Sequence, residues 1–205
     1  MINQMQSSEL DLVQQRKGRM VLLLMVVFFL VPVIVVLFMY KFNWKPTGDS
    51  YGTLVRPPQL LTVSNQLIDD SGKTLSALIW KDKWSLVYIS DDCNQQCEAK
   101  LHDMRQLHAS LYKDIVRVQK VWITNMEDTT KYQKDYPDLM IIHHPESEVN
   151  QLKHQFQANY ENVGEANNLY LVDPLGYYMM QYAADTPLAN VRKDLVKLLK
   201  SSWAG

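Results

Sequence analysis

The sequence carries almost no net charge, since 21 basic and 22 acidic side chains leave a formal charge of −1 at pH 7. No run of basic residues follows its apolar N-terminal segment, so the sequence offers no electrostatic basis for binding nucleic acid. Internal repeats and low-complexity tracts are absent as well. These absences argue against a nucleic-acid-binding protein and a repeat protein, and they direct attention to short motifs.

Charged residues are missing from residues 20–40, an uninterrupted apolar segment. At about 1.5 Å per residue, a helix of this length extends ~31 Å, enough to cross a hydrocarbon core of ~30 Å. Pro32 is compatible with a membrane-spanning helix. The segment is longer than the core of a signal peptide, and no small-residue cleavage site follows it. We therefore predict an uncleaved transmembrane helix that contacts the lipid bilayer through residues 20–40.

Basic residues are more numerous before this segment than after it. They are Arg16, Lys17 and Arg19 on the N-terminal side, and Lys41 and Lys45 on the other side. The positive-inside rule then keeps residues 1–19 in the cytoplasm and exports the remainder. In a Gram-negative bacterium, this is a single-pass protein of the inner membrane with a periplasmic C-terminal domain.

Prolines and glycines mark residues 41–60 as a linker, and residues 61–205 are long enough for one domain with its own core.

Cysteine is scarce too, because the chain has two cysteines, Cys93 and Cys97, four residues apart. On a helix such a pair projects the same way, with α-carbons about 6 Å apart, within the ~4.4–6.8 Å that a disulfide tolerates. Two thiols at this spacing in an oxidising compartment indicate redox chemistry or a soft-metal site. A structural disulfide is the alternative, but closing a loop of about five residues would add only ~2 kcal/mol to the free energy of unfolding. We therefore predict that Cys93 and Cys97 are catalytic residues.

The hydrophobic pattern after the linker predicts an α/β domain. In chain order, it predicts a hairpin over 67–75, a strand over 84–90, a helix over 93–113, strands over 116–124 and 139–142, a helix over 146–157, a hairpin over 168–172 and 177–182, and a terminal helix that begins at 185–187. This order, with the cysteines just after the first buried strand, is typical of a thioredoxin-like fold with a central mixed sheet flanked by helices.

The start of the helix over 93–113 bears on the chemistry of the cysteines. Asp91 or Asp92 is the expected N-cap, which puts Cys93 in the first helical turn. Unpaired N–H groups in that turn favour a thiolate, whereas the negative charges of the two aspartates disfavour it. The sequence alone leaves this balance open.

The histidines are weaker candidates for a functional site. His102, His108 and His154 lie on predicted helices, where surface or packing roles are expected. His143 and His144 follow the third predicted strand, at a strand end where ligand sites of open α/β sheets gather. A histidine pair beside two thiolates would suit copper, although a solvated loop is the default interpretation.

The chain resembles the Sco/SenC family of cytochrome c oxidase assembly proteins. The resemblance rests on residues 83–90, Lys-Trp-Ser-Leu-Val-Tyr-Ile-Ser, which precede the Cys-x-x-x-Cys motif, and on residues 169–176, Leu-Tyr-Leu-Val-Asp-Pro-Leu-Gly. It implies a single-span, thioredoxin-like protein with a redox-active centre, facing the periplasm or the mitochondrial intermembrane space. It also implies an oxidase subunit or another assembly factor as the partner.

The resemblance fails at one ligand of the family's copper site. That site uses both cysteines and a histidine five residues before the hairpin tyrosine, which is Tyr170 here; Glu165 occupies the histidine position. The prolines that usually follow the cysteines are replaced by Asn94 and Glu98. A carboxylate is a harder ligand for copper(I) than imidazole, so the resemblance implies the dithiol without the full metal site. No residue is assigned as a metal ligand, and copper(I) is kept as the alternative cofactor.

These observations predict a membrane-anchored protein that assists cytochrome c oxidase assembly by thiol–disulfide exchange, with Cys93 as the favoured nucleophile. A copper(I) metallochaperone is the alternative, in which Cys93 and Cys97 are completed by His143, His144 or a ligand from the partner. A third class is a non-catalytic structural assembly factor, in which the cysteines are incidental.

Overall fold

The structure is a computed structural model that describes residues 2–42, 50–69, 72–157 and 162–201. The chain divides into two compact units, residues 1–49 and residues 50–205. Part of the expected linker, residues 43–49, lies outside the described residues, and so does the tip of the expected first hairpin, residues 70–71.

The first unit, where it is described, consists of helix α1 (Ile2–Lys41), with Pro32 inside it. Its apolar part, Arg19–Lys41, contains an 18-residue stretch with a mean hydropathy of 3.4, and none of that stretch is buried. A helix that is apolar on all sides is stable where a protein core or a membrane covers it. Arg19–Lys41 is long and apolar enough to cross a bilayer, which makes it a candidate membrane span and agrees with the helix predicted over residues 20–40.

In the described part of the second unit, seven strands form one mixed sheet in the order β1-β7-β6-β3-β4-β5-β2. The strands are β1 (Thr53–Leu60), β2 (Ile68–Asp69), β3 (Trp84–Ile89), β4 (Val118–Ile123), β5 (Leu139–His144), β6 (Leu169–Val172) and β7 (Tyr177–Tyr182). The helices described with them are α2 (Gln95–Ala109), α3 (Thr130–Asp135), α4 (Glu146–His154) and α5 (Leu188–Ser201). Strand β3 lies in the middle, parallel to β4 and antiparallel to β6.

Strand β3 is buried along its whole length because helices cover both faces of the sheet. Leu86 and Tyr88 point to one face, where α2 and α5 pack. Val87 and Ile89 point to the other face, where α4 packs. A strand buried on both sides has an uninterrupted apolar sequence, which is the pattern that predicted it. Together these layers confirm the α/β, thioredoxin-like architecture.

Strand β1 corrects the expectation that residues 41–60 form a linker. It pairs antiparallel with β7, beginning with Thr53 opposite Gln181. Pro57 and Pro58 lack the N–H groups that a central strand needs, and they hid this strand in the sequence. Strand β1 lies at the edge of the sheet, and its pairing with β7 is irregular between Leu54 and Gln59, where both prolines lie, so the prolines are tolerated there.

Other boundaries differ from the expectations in smaller ways. Helix α2 begins two residues later and ends four residues earlier than the helix predicted over 93–113. A 3-10 turn over Tyr112–Arg117 follows it. Helix α3 was not predicted, since its six residues are too short for a periodic pattern. The hairpin over residues 67–75 reduces to a bridge between Ile68 and Thr74, and β2 also pairs with β5. The strand before the cysteines, the β6–β7 hairpin and the terminal helix are confirmed.

A buried carboxylate fastens the start of the second unit to its last helix. Asp194 on α5 is 4% exposed and accepts hydrogen bonds from the N–H groups of Tyr51 at 2.8 Å and Gly52 at 3.0 Å. These two bonds hold the segment before β1 against α5. Because the acceptor is charged, each is expected to be stronger than a bond between neutral groups.

We expect Asp194→Ala to lower the free energy of unfolding by about 3 kcal/mol, because the buried N–H group of Gly52 and the part-buried N–H group of Tyr51 lose a charged acceptor. Urea unfolding of the detergent-solubilised full-length protein measures this change. Lys197→Ala, at an exposed position of the same helix, is the matched control and should leave the transition unchanged. Equal urea midpoints for the two variants would contradict a stabilising role for Asp194.

Candidate functional site

Cys93 and Cys97 form a disulfide, with their α-carbons 5.0 Å apart. The disulfide lies where the chain leaves the central strand β3 and enters α2. The two sulfurs are therefore within bonding reach, as the spacing predicted. The assignment of the cysteines as catalytic stays a prediction at this point.

The two cysteines differ in burial. Cys97 is 1% exposed and belongs to the row of α2 side chains, with Leu101 and Met104, that packs on the sheet. Cys93 is half-buried and packs against the edge of that cluster. Cys93 is thus the member of the pair that a second protein can reach more easily.

The expected cap of helix α2 was wrong. Asn94 is the N-cap, and its Oδ1 accepts hydrogen bonds from the N–H groups of Gln96 at 2.9 Å and Cys97 at 3.1 Å. Cys93 therefore precedes the helix, and Cys97 lies in its first turn. The electrostatic effect of the helix N-terminus, which favours a thiolate, acts mainly on Cys97.

Asp91 does not cap the helix because it forms an ion pair with Lys153 of α4. The Lys153 side chain is 7% exposed, so its ammonium group depends on this partner, whereas Asp91 is 45% exposed. The backbone of Gly164 lies against the Asp91 carboxylate so closely that a Cβ at this position would clash with it. Asp91 thereby joins the end of β3, helix α4 and the loop before β6.

The same loop contacts the disulfide region through Asn167. The Tyr88 hydroxyl donates a hydrogen bond to Asn167 Oδ1 at 2.7 Å, and Asn167 Nδ2 donates to Gln96 Oε1 at 3.3 Å. Burial raises the pKa of Tyr88 to about 12, so its phenol keeps the proton that it donates at neutral pH. Asn167 has a φ of 52°, in the left-handed region that asparagine tolerates better than most residues.

A Ser–Trp pair lies against the buried sulfur. Trp122 Nε1 of β4 donates to Ser90 Oγ at 2.8 Å, and Ser90 Oγ lies 3.6 Å from Cys97 Sγ as a donor. Ser90 is 3% exposed and Trp122 is fully buried. Cys97 is therefore in contact with a polar group inside the core.

An open cavity of about 480 Å³ lies beside the disulfide. Its lining is mostly polar and comes from the end of β3, the start of α2 and the loop before β6. The lining residues are Ser90, Asp91, Asp92, Asn94, Gln96, Cys97, Gly164, Glu165 and Asn167. Glu165 thus faces the same cavity as Cys97, which agrees with the position that the sequence comparison gave it. The cavity provides space for a second molecule next to the cysteine pair.

The histidines are not brought to this cavity. The rings of His143 and His144 lie at the end of β5 with their centroids 4.1 Å apart and their planes tilted by 49°, and neither ring lines the cavity. His102 and His154 are exposed, and His108 contacts the backbone carbonyls of Ile115 and Val118. Within the described ranges, no group of three or more His, Cys, Asp or Glu side chains could hold a metal ion.

Several residues of the site were not predicted from the sequence. They are Ser90, Asn94, Trp122, Lys153 and Asn167. Asn94 carried a usable signal, since asparagine is among the best N-caps. Ser90, Trp122 and Asn167 carried none, because their contacts join segments that are distant in sequence. The burial of Lys153 was not predicted, because a lysine usually indicates a solvent-exposed position.

Residues 84–202 match the sequence profile of a family described as transmembrane-like proteins with a thioredoxin-like C-terminal domain. The match spans more than half of the chain. The chain belongs to this family. The family's description agrees with the candidate membrane span of α1 and suggests membrane anchoring. A comparison with curated proteins gives no match.

Solved Sco structures share the fold of this thioredoxin-like domain. Arabidopsis thaliana ScoI with copper bound is 18% identical, with a TM-score of 0.56, covering 75% of this chain and 100% of its own. Copper-bound yeast Sco1 is 18% identical, with a TM-score of 0.57, and the match covers 75% of this chain and 91% of the yeast chain. Apo Sco1 from Thermus thermophilus is 18% identical, with a TM-score of 0.58, and the match covers 77% of this chain and 99% of the Thermus chain. The Sco/SenC-like thioredoxin fold is thereby confirmed.

We expect Lys153→Met to lower the free energy of unfolding by about 2 kcal/mol, because Asp91 then loses its partner at a half-buried site. The partial exposure of Asp91 to water keeps the loss below that of a fully buried pair. Lys131→Met is the matched control, since it removes the lysine of an exposed pair with Glu98 and should leave stability unchanged. Urea unfolding of both full-length variants measures the difference in the free energy of unfolding. An equal loss in the two variants would show that the buried pair of Lys153 stabilises the domain no more than the exposed pair of Lys131 does.

Proposed function

We propose that this chain is a membrane-anchored thiol–disulfide exchange protein that assists the assembly of cytochrome c oxidase. The single observation that carries the proposal is the disulfide at the edge of an open cavity, with Cys93 half-buried and Cys97 fully buried. Cys93 is the nucleophile that attacks a partner, and Cys97 is the resolving cysteine.

The chemistry transfers two electrons from the reduced protein to a partner disulfide. The Cys93 thiolate attacks one partner sulfur, a mixed disulfide forms, and the other partner sulfur leaves as a thiolate. Cys97 then attacks the sulfur of Cys93, which closes the disulfide found in the structure and releases the partner as a dithiol. The position of Cys97 behind Cys93 suits the second step, because Cys97 reaches Cys93 without contacting the partner.

A purely stabilising role explains the disulfide less well. The loop that it closes has about five residues, and such a loop adds only ~2 kcal/mol in the chain-entropy estimate. The disulfide also joins adjacent elements, β3 and α2, that the hydrophobic core already holds together. An accessible cysteine beside a cavity is, in contrast, what an exchange reaction requires.

The respiratory context comes from relatives that share the fold. BsSco, 18% identical with a TM-score of 0.53, is described as a member of the Sco family of cytochrome c oxidase assembly proteins and as containing a disulfide switch. By analogy, the partner is an oxidase subunit or another assembly factor. Anchoring through Arg19–Lys41 puts the protein in the bacterial inner membrane, with its N-terminus in the cytoplasm and residues 50–205 in the periplasm.

Cys97→Ser should trap the partner as a mixed disulfide with Cys93, because the resolving thiol is lost while the attacking thiol remains. Non-reducing electrophoresis of membranes from cells expressing the full-length variant detects the adduct, and reduction should release it. Cys93→Ser is the matched control and should trap little or nothing.

The same cells test the physiological role. Oxidase activity should fall in Cys93→Ser. Normal activity in a Cys93→Ala, Cys97→Ala double variant, together with loss of activity on deletion of the whole chain, would reject thiol exchange and leave a structural assembly factor.

A copper(I) carrier is the second candidate, and the donor set around the cavity fits it incompletely. Copper-bound relatives share the fold, and Glu165 lies on the cavity wall with Cys97. The cysteines are oxidised in the structure, and a disulfide does not provide thiolate ligands. Of the residues described around the cavity, none is a histidine, and a carboxylate is a poor ligand for copper(I). No step of the proposed mechanism therefore uses the metal.

Glu165→His in the reduced full-length protein should strengthen copper(I) binding at least about tenfold, because imidazole is a softer ligand than carboxylate. Competition with a chromogenic copper(I) chelator measures the affinity. Glu165→Gln is the control, since it removes the charge without adding a soft ligand. Tight, stoichiometric binding by the unaltered protein, lost in Cys97→Ser, would instead favour the copper carrier.

A further inference from the structure

The hydroxyl of Ser90 has one partner on each side. It lies between the indole of Trp122 and the sulfur of Cys97, at 2.8 and 3.6 Å respectively. An indole N–H only donates, so this bond uses the Ser90 oxygen as an acceptor. The hydroxyl hydrogen is then left to donate, and Cys97 Sγ is within reach of it.

Packing holds the pair in this arrangement. Trp122 is fully buried in the core, and its ring packs edge-on against that of Tyr132, with centroids 5.0 Å apart. Ser90 itself is 3% exposed, directly after β3. Because this hydroxyl is already held in place, it needs little reorganisation when charge develops beside it, unlike the hydroxyl of a mobile side chain.

Cys97 needs such a donor because water reaches it poorly. A thiolate in an apolar core is destabilised by the loss of hydration, which raises the pKa of the thiol. Hydrogen bonds to the charged form act in the opposite direction. The Ser90 hydroxyl supplies a bond of this kind, and the positive end of the α2 dipole adds a favourable electrostatic effect.

We propose that Ser90 is a positioning residue that stabilises negative charge on Cys97 Sγ during thiol–disulfide exchange. The inference rests on the proposed function. When a thiolate bonds to Cys93 Sγ, the bond between Cys93 and Cys97 breaks and its electron pair remains on Cys97 Sγ, beside the Ser90 hydroxyl. In the reverse direction, Cys97 first loses its proton to solvent in the cavity and attacks Cys93 as a thiolate that Ser90 stabilises.

Tyr88 offers a competing acceptor for the same hydrogen. Burial raises the pKa of Tyr88, and a hydrogen bond with Ser90 acts in the opposite direction. Donation to the phenol oxygen would leave Cys97 without the bond. The two arrangements differ in the pKa of Cys97, which is therefore the quantity to measure.

The first experiment measures the pKa of Cys97 as the sole thiol, in a Cys93→Ser full-length background, by the ultraviolet absorbance of the thiolate as pH is raised. Ser90→Ala should raise this pKa by about one unit, a tenfold shift in the thiolate equilibrium. Ser90→Thr keeps the hydroxyl and should restore the original value. Ser85→Ala is the matched control, because Ser85 is a fully buried serine of β3, the strand that Ser90 follows, and its hydroxyl contacts Gln119.

The second experiment measures the rate at which dithiothreitol reduces the intact Cys93–Cys97 disulfide. Ser90→Ala should slow this step several-fold, because Cys97 becomes a poorer leaving group. Ser85→Ala should reduce at the original rate. If Ser90→Ala matches Ser85→Ala in both the pKa and the rate, the proposed role of Ser90 is overturned.

The two proposals fail separately. A shifted pKa of Cys97 in Ser90→Ala, combined with no partner trapped by Cys97→Ser, would remove the proposed function and keep the effect of Ser90 on the thiolate. A trapped partner combined with an unshifted pKa would keep the function and reject the role of Ser90.

Discussion

The burial of strand β3 on both faces is the constraint on which the site depends. Helices on either side hold this strand in the middle of the sheet, so its carboxyl end is fixed. The chain turns there into α2, with Cys93 just before the helix and Cys97 in its first turn. Ligand sites of open α/β sheets gather at such strand ends, because a rigid layer positions the loops that follow it. The cysteine pair is therefore presented by the most buried part of the domain.

The difference between the two sulfurs follows from where α2 begins. Because Asn94 is the cap, Cys97 enters the helical row that packs on the sheet and Cys93 stays outside it. The buried sulfur lies in the first turn of the helix and contacts the Ser90 hydroxyl, while the sulfur of Cys93 is the more accessible one. This difference in burial supports the proposal that Cys93 attacks and Cys97 resolves. The sequence favoured the same nucleophile because Cys93 was expected in the first helical turn, whereas Cys93 in fact precedes the helix.

Local patterns predicted the strands other than β1, the terminal helix and the cysteine pair, because each depends on neighbouring residues, whereas the position of Glu165 came from the family resemblance. What the sequence could not predict depends on contacts between distant segments. Strand β1 contains two prolines and is a strand only because it has an edge position beside β7. Asp91 looked like a helix cap, but Lys153 of α4 takes its carboxylate. The hydrogen bond from Trp122 to Ser90 could not be predicted from the neighbouring residues, because buried tryptophans are common on strands and do not indicate a particular partner.

The ion pair also changes the electrostatic balance that the sequence left open. Lys153 offsets the charge of Asp91, so the negative charge that remains around the disulfide belongs to Asp92 and Glu165, both exposed. These carboxylates lie on the accessible side, nearer to the solvent than Cys97 is. Negative charge there disfavours a thiolate at Cys93, whereas the Ser90 hydroxyl beside Cys97 favours one, so the two sulfurs lie in electrostatically different surroundings. A partner disulfide is neutral, so the carboxylates do not repel its approach, whereas they would repel a partner thiolate.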